Sequence, residues 1–546
     1  MAYKRVVILG GGFAGVYTAM YLERHLHGCS DVEIVLINNE NYLVFQPMLP
    51  EVISGNMGIL DTVSPIRRLC PRTKLYVRRV EDVDVVNKTV VLSPGFRPRS
   101  LTIKYDHLVV ALGNVTDFRG MSGLHDHAMP FKTLADALRL RDHLIHVLAE
   151  ADIETDPELK EQLLTFVVAG GGFSGVECCA EMADFVRRAA RSYHRIKASD
   201  IRCVLVHSRE RILNREMPES LGLYGQKILT KRGVELQLNH RLKAASPEFA
   251  VLDDGTRIPT KTLVSTVPSS PNPVVENMDV PKVKGRIISD LEMQVQGFED
   301  VWALGDCALV PSPTGEGYCP PTAQFAIRQA KTCADNIMAS FGRNKGKRKQ
   351  FKFKELGKMA QLGHRTAIAQ LFGWLNLHGF FAWVFWRAIY WVKLPGLDRK
   401  IKVGASWFLD LLVPPELVQT KLDVPSAMTH EHYEPGEIVF REGDLGDRLY
   451  IIVNGEAEVY HDTGQGGAPV ARLGAGEVFG EFSLLENKSR SASVRCVDAM
   501  DVITIAKSEF GPLVTYLPSL RQSFESMMQT RLDGNGTPSE SSQSHE

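Results

Sequence analysis

The feature that most narrows the fold is a glycine turn that occurs twice. Residues 10–16 read GGGFAGV and residues 170–176 read GGGFSGV. Each follows an apolar, β-branched run, VVIL at 6–9 and FVVA at 166–169, and each opens into a segment with helical spacing. In such a strand–turn–helix unit the first glycine makes the tight turn and the second lets the backbone approach a pyrophosphate. The third lets helix and strand pack closely, and the helix N-terminus then faces the phosphate charge. One copy is a weak signal. Two copies in the same context, 160 residues apart, predict two dinucleotide sites. The simplest pair of occupants is a bound flavin dinucleotide and a visiting nicotinamide dinucleotide.

A length of 546 residues is too great for one core, so several domains are expected. Charged residues at 23% and hydrophobic residues at 44% exclude a mostly disordered chain. With 63 Lys+Arg against 64 Asp+Glu, the chain lacks the basic excess of a nucleic-acid binder, and no nucleic-acid partner is expected. Nine cysteines include no CxxC pair, which argues against a zinc framework or a secreted disulfide scaffold; no metal site is expected. The polar lead before Val6 lacks the pattern of a signal peptide, so a cytoplasmic protein is expected. Two further runs, YDHLVVALG at 105–113 and VWALGDCA at 301–308, read as strands ending in glycine turns, at Gly113 and at Gly305-Asp306. The Asp306 carboxylate could reach a flavin's ribityl or phosphate region, or be an ordinary solvated turn residue.

Over residues 5–415 the chain resembles the two-dinucleotide-fold flavoproteins, and most closely the type II NADH dehydrogenases. The marks are NYLVFQPMLPEV at 41–52, GGGFSGVECCAE at 170–181, VWALGDCA at 301–308 and PPTAQFAIRQ at 320–329. The resemblance implies an α/β fold with two Rossmann-like domains. It places FAD at Gly10, Gly12, Phe13, Ala14, Gly15, Asn38, Gly113, Asp306, Ala323 and Gln324. NADH or NADPH would dock at Gly170, Gly172, Phe173, Ser174, Gly175, Glu177, His207 and Arg209, with Glu181 helping to hold the nicotinamide end. Gln324, Arg328 and Glu177 are the expected catalytic residues, and a quinone or another electron acceptor the expected partner. No proton-pumping element is visible, and a homodimer is the expected assembly.

Several positions depart from that pattern. The CxxxxC dithiol of disulfide reductases is missing, because no cysteine lies between Cys29 and Cys70. The pair Cys178-Cys179 reads as helix packing. The first nucleotide strand ends at Asn38, where an acidic residue usually grips an adenosine ribose. The second ends in His207-Ser208-Arg209, where NADH users place Glu at the His207 position. His, Ser and Arg could accept a 2′-phosphate, so NADPH is expected to be accepted. The quinone motif AQxAxQ appears as AQFAIR at 323–328, with Arg328 in place of the second Gln. Arg328 could stabilise reduced flavin, narrow a quinone tunnel or select another acceptor, or it could be a plain surface residue. Pro320-Pro321 read as the start of the helix that follows.

Residues 343–358 carry eight Lys/Arg and one Glu, and five of the six tryptophans fall between Trp374 and Trp407. No stretch here is apolar enough to span a bilayer. The expectation is amphipathic helices over 346–420 lying in the cytoplasmic face of the inner or plasma membrane, with an aromatic core or dimer seam as the alternative. After Pro414-Pro415 the pattern changes to short strands separated by glycines, as in a small β-barrel or jelly roll. Within it, FGEFSLLENKSRSASV at 479–494 looks like the phosphate-binding cassette of cyclic-nucleotide-binding domains. The resemblance assigns Glu481 to a ribose 2′-OH, Arg490 to a cyclic phosphate, and Gly480 and Ser491 to supporting contacts, with cAMP or cGMP as effector. Ser483 stands where Ala is common. The expected domains are 1–120 with 285–345 for FAD, 121–284 for NAD(P)H, 346–420 for the membrane, 421–533 for the cyclic nucleotide, and a disordered tail at 534–546.

Overall fold

The computed structural model describes residues 4–409, 418, 428–507, 510, 522, 523 and 526, apart from 29–30, 97–98, 117, 119–120, 267–268, 316, 344–345, 447, 462–468 and 486–488. The expected linker after Pro414-Pro415 and the tail 534–546 lie outside the described residues. The chain divides into two compact units, Met1–Val90 with Ile103–Lys421, and Val91–Thr102 with Leu422–Glu546. The short stretch Val91–Thr102 thus groups with the second unit, although the expected flavin domain 1–120 included it.

The first unit contains two parallel five-stranded sheets of the same design. In one, the order is Val301–Ala303, His107–Val110, Lys4–Leu9, Val32–Asn38, Lys74–Val77. In the other it is Met129–Pro130, Thr262–Ser265, Thr165–Ala169, Arg202–His207, Val234–Leu238. The strand that feeds each glycine turn is the central one. Its apolar run is continuous because both faces of a parallel sheet are covered; Val6, Val7, Ile8 and Leu9, like Phe166, Val167 and Val168, are fully buried. The turns lead into the helices Phe13–His25 and Phe173–Ala189. An antiparallel pair, Asn114–Thr116 with Ser269–Pro271, lies where the chain passes between the two sheets.

The region expected as membrane helices over 346–420 is different. Gly357–Gln361, Ala367–Leu371 and Leu375–His378 form an antiparallel meander, and only then come the helices Gly379–Lys393 and Leu397–Leu409. Turns at Gly363 and Gly373, both at positive φ, break the stretch into hairpins. Residues 360–362 and 367–369 are buried while Asn376 and His378 are exposed. The two helices leave large side chains in solvent, among them Phe381 (74% exposed), Leu397 (73%) and Phe408 (62%). Among the described residues no helix is long and apolar enough to cross a membrane.

The second unit is a sandwich of two four-stranded antiparallel sheets. Met428–Tyr433, Met500–Ala506, Arg448–Asn454 and Val478–Phe479 make one; Ile438–Phe440, Ser493–Cys496, Ala457–Tyr460 and Pro469–Leu473 make the other. Phe440, Tyr450, Ile452, Phe479, Val494 and Val502 fill the space between them. Alternating burial along Met500–Ala506 is what one wet and one packed face require.

Candidate active site

At the first turn, Gly10 has φ +104°, and a Cβ there would lie 2.3 Å from the Ala111 carbonyl oxygen. A Cβ on Gly15 would lie 1.9 Å from the Gly10 oxygen, which is why helix and strand can meet only through glycine. Around Gly12, by contrast, nothing approaches within 4 Å, and no side chain caps the helix that starts at Phe13. Open space beside uncapped backbone N–H groups is what a pyrophosphate needs. Asn38 Oδ1 accepts from Gly11 N at 2.8 Å, and Asn38 Nδ2 donates to the Glu40 carbonyl at 2.9 Å. Asn38 therefore braces the turn, and the acidic residue of this strand end is Glu40, two positions on.

The Gly305-Asp306 turn stands against the same helix. The Gly305 Cβ position is 3.1 Å from Ala14 Cβ, and Gly305 N donates to Gln329 Oε1 at 2.9 Å. Gln329 is 2% exposed and holds the turn from the Ala323–Ser340 helix, a role the sequence reading missed. Burial raises the Asp306 carboxyl above its ordinary range, opposed by the cations Lys132 and Arg286. Gly113 adopts φ +67° with open space around it. Gly10, Gly12, Phe13, Ala14, Gly15, Asn38 and Asp306 thus lie around one cradle that fits a dinucleotide.

The second turn repeats the geometry. Gly170 has φ +119°, and a Cβ on Gly175 would stand 1.8 Å from the Gly170 oxygen. His207 Nδ1 accepts from Gly171 N at 3.1 Å. That nitrogen must carry a lone pair, so the ring is neutral; burial holds its pKa below the ordinary value. The neutral ring then carries its hydrogen on Nε2 and adds no positive charge at the strand end. Ser174 and Arg209 are exposed, and Phe173 is half-buried.

The Ala323–Ser340 helix starts at a Thr322 N-cap, so Pro320 and Pro321 precede the cap and are not its first turn. Gln324 Nε2 donates to Glu355 Oε1 at 3.1 Å and to the Gly357 carbonyl at 3.2 Å. Arg328 is half-buried, donates to the Gln324 carbonyl at 3.2 Å, and lies over the Phe353 ring at 4.2 Å. It is therefore not a free surface residue.

Three carboxyl groups gather beneath the second turn. Glu177 Oε1 accepts from Gln361 N at 2.9 Å. Glu181, one helical turn on, is fully buried, as is Glu51 of the NYLVFQPMLPEV run. Burial, reinforced by Glu51 and opposed by the Gln361 N–H, pushes Glu177 up to about 8. Burial, then the Glu51 charge, pushes Glu181 up to about 8 as well. Glu51 is fixed by Trp407 Nε1 at 2.7 Å, Gln361 Nε2 at 3.4 Å and Arg387 at 3.5 Å. The Arg387 guanidinium in turn lies over the Trp383 and Trp407 rings at 4.3 and 4.8 Å. The aromatic helices thus reach the second-turn helix through Glu51, which the sequence reading did not single out. Cys178 and Cys179 are fully buried with their thiols held protonated by burial, which suits packing.

In the sandwich, Arg490 is 4% exposed and donates to the Gly480 carbonyl at 2.7 Å, Ser483 Oγ at 2.8 Å and the Arg448 carbonyl at 2.8 Å. Its guanidinium lies over Phe440 at 4.0 Å. Ser483, the departure from Ala, therefore holds this arginine. Glu481 is 1% exposed and opens the short helix beside it, whereas Ser491 is exposed.

Comparison with known proteins agrees with these two architectures. The pyridine nucleotide-disulphide oxidoreductase family matches residues 4–332, and the cyclic nucleotide-binding domain matches residues 430–515. A type II NADH:quinone oxidoreductase of Mycobacterium tuberculosis is 31% identical over 425 residues, covering 75% of this chain and 87% of that protein. An internal alternative NAD(P)H-ubiquinone oxidoreductase of Solanum tuberosum mitochondria is 28% identical over 436 residues, covering 75% and 86%. The structure of NDH2 from Plasmodium falciparum in complex with NADH superposes with a TM-score of 0.70 at 17% identity, over 76% of this chain and 99% of that one. The fold is that of a two-dinucleotide oxidoreductase. The chain belongs to the pyridine nucleotide-disulphide oxidoreductase family, in its type II NADH:quinone oxidoreductase branch, and carries a C-terminal cyclic nucleotide-binding domain.

Proposed function

We propose that the protein oxidises NADH or NADPH and reduces a quinone at a membrane surface without pumping protons. The observation that carries this reading is the pair of glycine turns on twin parallel sheets, each ending in an uncapped helix N-terminus. The first cradle would hold FAD through Gly10, Gly12, Phe13, Ala14, Gly15 and Gly113, with Asp306 beside it. When bound, FAD supplies the two-electron chemistry that joins a hydride donor to a quinone. The second cradle would orient the nicotinamide coenzyme through Gly170, Gly172, Phe173, Ser174 and Gly175. Gln324, anchored to Glu355 and Gly357, and Arg328, stacked on Phe353, form the wall where the acceptor would enter. Quinone reduction also consumes protons. Glu177 and Glu181, each raised to about 8, hold a proton at neutral pH and can release it to a neighbouring oxygen.

The exposed Phe380, Phe381, Trp391, Leu397 and Phe408 would sit in the headgroup region of the cytoplasmic leaflet, where a quinone is dissolved. The C-terminal domain would bind cAMP or cGMP at Gly480, Glu481, Arg490 and Ser491 and bias turnover, which requires unequal affinity for two states of the enzyme. The test is to purify the full chain, record its flavin spectrum, bleach it anaerobically with NADH and NADPH, and measure turnover with a water-soluble quinone, with and without cAMP. A yellow protein that bleaches and turns over supports the reading. A colourless protein, even after reconstitution with FAD, defeats it.

A further inference from the structure

The second turn has a neighbour that the first lacks. Gly172 is the N-cap of the Phe173–Ala189 helix and is the glycine at which a pyrophosphate would approach. Glu216 Oε1 lies 3.2 Å from the position a Gly172 Cβ would take, whereas nothing stands within 4 Å of the corresponding point at Gly12. The same carboxylate acts electrostatically on the His207 ring, favouring its protonated form. Glu216 is therefore bracketed by the strand end and the second glycine, where the adenosine ribose of a dinucleotide lies in this type of fold.

The loop that carries Glu216 is built to hold it there. Leu213 N donates to the Gly171 carbonyl at 2.7 Å, and Glu216 N to the Leu213 carbonyl at 3.3 Å. Arg211 gathers the carbonyls of Ile212, Leu213, Asn214, Met217 and Pro218. Its guanidinium is thus engaged with the loop and is not offered to a ligand phosphate. His207, which accepts from Gly171, is neutral, and the exposed Arg209 is the remaining cation of the HSR run.

We infer that Glu216 is the specificity-determining residue of the coenzyme site: its carboxylate accepts from the ribose 2′- and 3′-hydroxyls and repels a 2′-phosphate, so that NADH is selected over NADPH. It takes the part of the carboxylate absent at His207, from the loop that follows the same strand. This choice is opposite to the one the HSR run alone suggests. A carboxylate offers two acceptors to a diol and no donor to a phosphate, and placing a 2′-phosphate against the half-buried Glu216 carboxylate is a like-charge contact that is unfavourable.

The inference rests on the proposed function only in that the second cradle binds a nicotinamide coenzyme, so the test reads binding and not turnover. Calorimetric titration of the full-length protein, as purified, with NADH and with NADPH is compared for wild type, Glu216→Gln and Glu216→Asp. Wild type is expected to bind NADH at least about tenfold more tightly than NADPH. Glu216→Gln is expected to tighten NADPH by about tenfold without tightening NADH, and Glu216→Asp to keep the preference. Equal wild-type affinities, an unchanged ratio in Glu216→Gln, or an equal gain for both coenzymes would overturn it; the last would mean that the carboxylate acts on the shared pyrophosphate. Binding of neither coenzyme by wild type would overturn the proposed function itself, and the selection with it.

Discussion

The two glycine turns share a backbone and differ in what surrounds it. In both, the first glycine is left-handed, the third glycine leaves room for the carbonyl of the first, and a strand-end side chain accepts from the middle N–H. The strand-end residue is Asn38 in one and His207 in the other. At matching offsets along the two helices stand Tyr17 and Tyr21 in the first, and Glu177 and Glu181 in the second. The tyrosine rings lie 6.3 Å apart as a hydrophobic pair, whereas the glutamates join Glu51 in a buried carboxyl cluster. One turn geometry is thus paired with an aromatic surface in the first copy and with a buried carboxyl cluster in the second.

The largest effect on ligand binding is expected from adding one methyl group to each turn. In Gly15→Ala and Gly175→Ala the new Cβ falls within 2 Å of a backbone carbonyl oxygen. Overpacking of this kind costs about 1–3 kcal/mol, or about a tenfold to hundredfold loss of affinity. Gly15→Ala should emerge from purification largely without flavin, by its visible absorbance. Gly175→Ala should stay yellow but need far more NADH to bleach. If both variants lose flavin alike, the two copies do not serve separate ligands.

A second contrast is the buried Glu51–Arg387 pair that joins the carboxyl cluster of the second helix. Arg387→Ala leaves the Glu51 charge buried without its cation and should cost about 3–5 kcal/mol, read as a fall in melting temperature. Glu51→Gln removes the charge itself and should cost less. It should also lower the proton affinity of Glu177 and Glu181, moving the alkaline limb of the pH–rate profile to lower pH. A Glu51→Gln profile that superposes on wild type would separate Glu51 from the titration of Glu177 and Glu181.

Glu181→Gln tests the same cluster through stability. A carboxyl raised from its ordinary 4.5 to about 8 keeps its proton in the folded protein while the unfolded chain loses it. Wild-type stability thus falls as pH rises from about 4.5 to about 8 and is level above that. The variant has no such loss, so its melting temperature relative to wild type should climb across that window. A constant difference would mean that Glu181 does not hold a proton.

The outline of both sheets was legible because glycine spacing and apolar strands are local signals. So was the sandwich, through its alternating strands and the FGEFSLLENKSRSASV run. Glu51, Gln329 and Glu216 were not legible as site residues. Each acts through a contact made only after folding: Glu51 with Arg387 more than 300 positions away, Gln329 with Gly305, Glu216 with Gly172. The meander at 357–378 was misread because aromatic and apolar residues dominate the stretch as a whole, while the strand signal there is three short runs separated by glycine turns. The bond from Gly171 N to His207 Nδ1 is likewise a contact made only in the folded chain, with no mark in the local sequence pattern.

The smallest expected effect separates the two strand ends by pH. Asn38 carries no proton near neutrality, so flavin retention should not change between pH 7 and 5 on its account. His207 must stay unprotonated at Nδ1 to accept from Gly171 N, and burial lowers its pKa from the ordinary 6.5. Its contribution is therefore complete above pH 6.5 and is lost as pH falls from there through the depressed value. Losing one hydrogen bond of about 1 kcal/mol should weaken NADH binding by about fivefold. Glu177 and Glu181 release their protons near pH 8, above this window, and do not confuse the reading. In His207→Asn, whose amide oxygen can take the same N–H, the acid weakening should disappear and the second turn should respond to pH as the first does. Parallel NADH-binding profiles for wild type and His207→Asn would show that the imidazole is no more than a spacer, and that the two strand ends differ in identity alone.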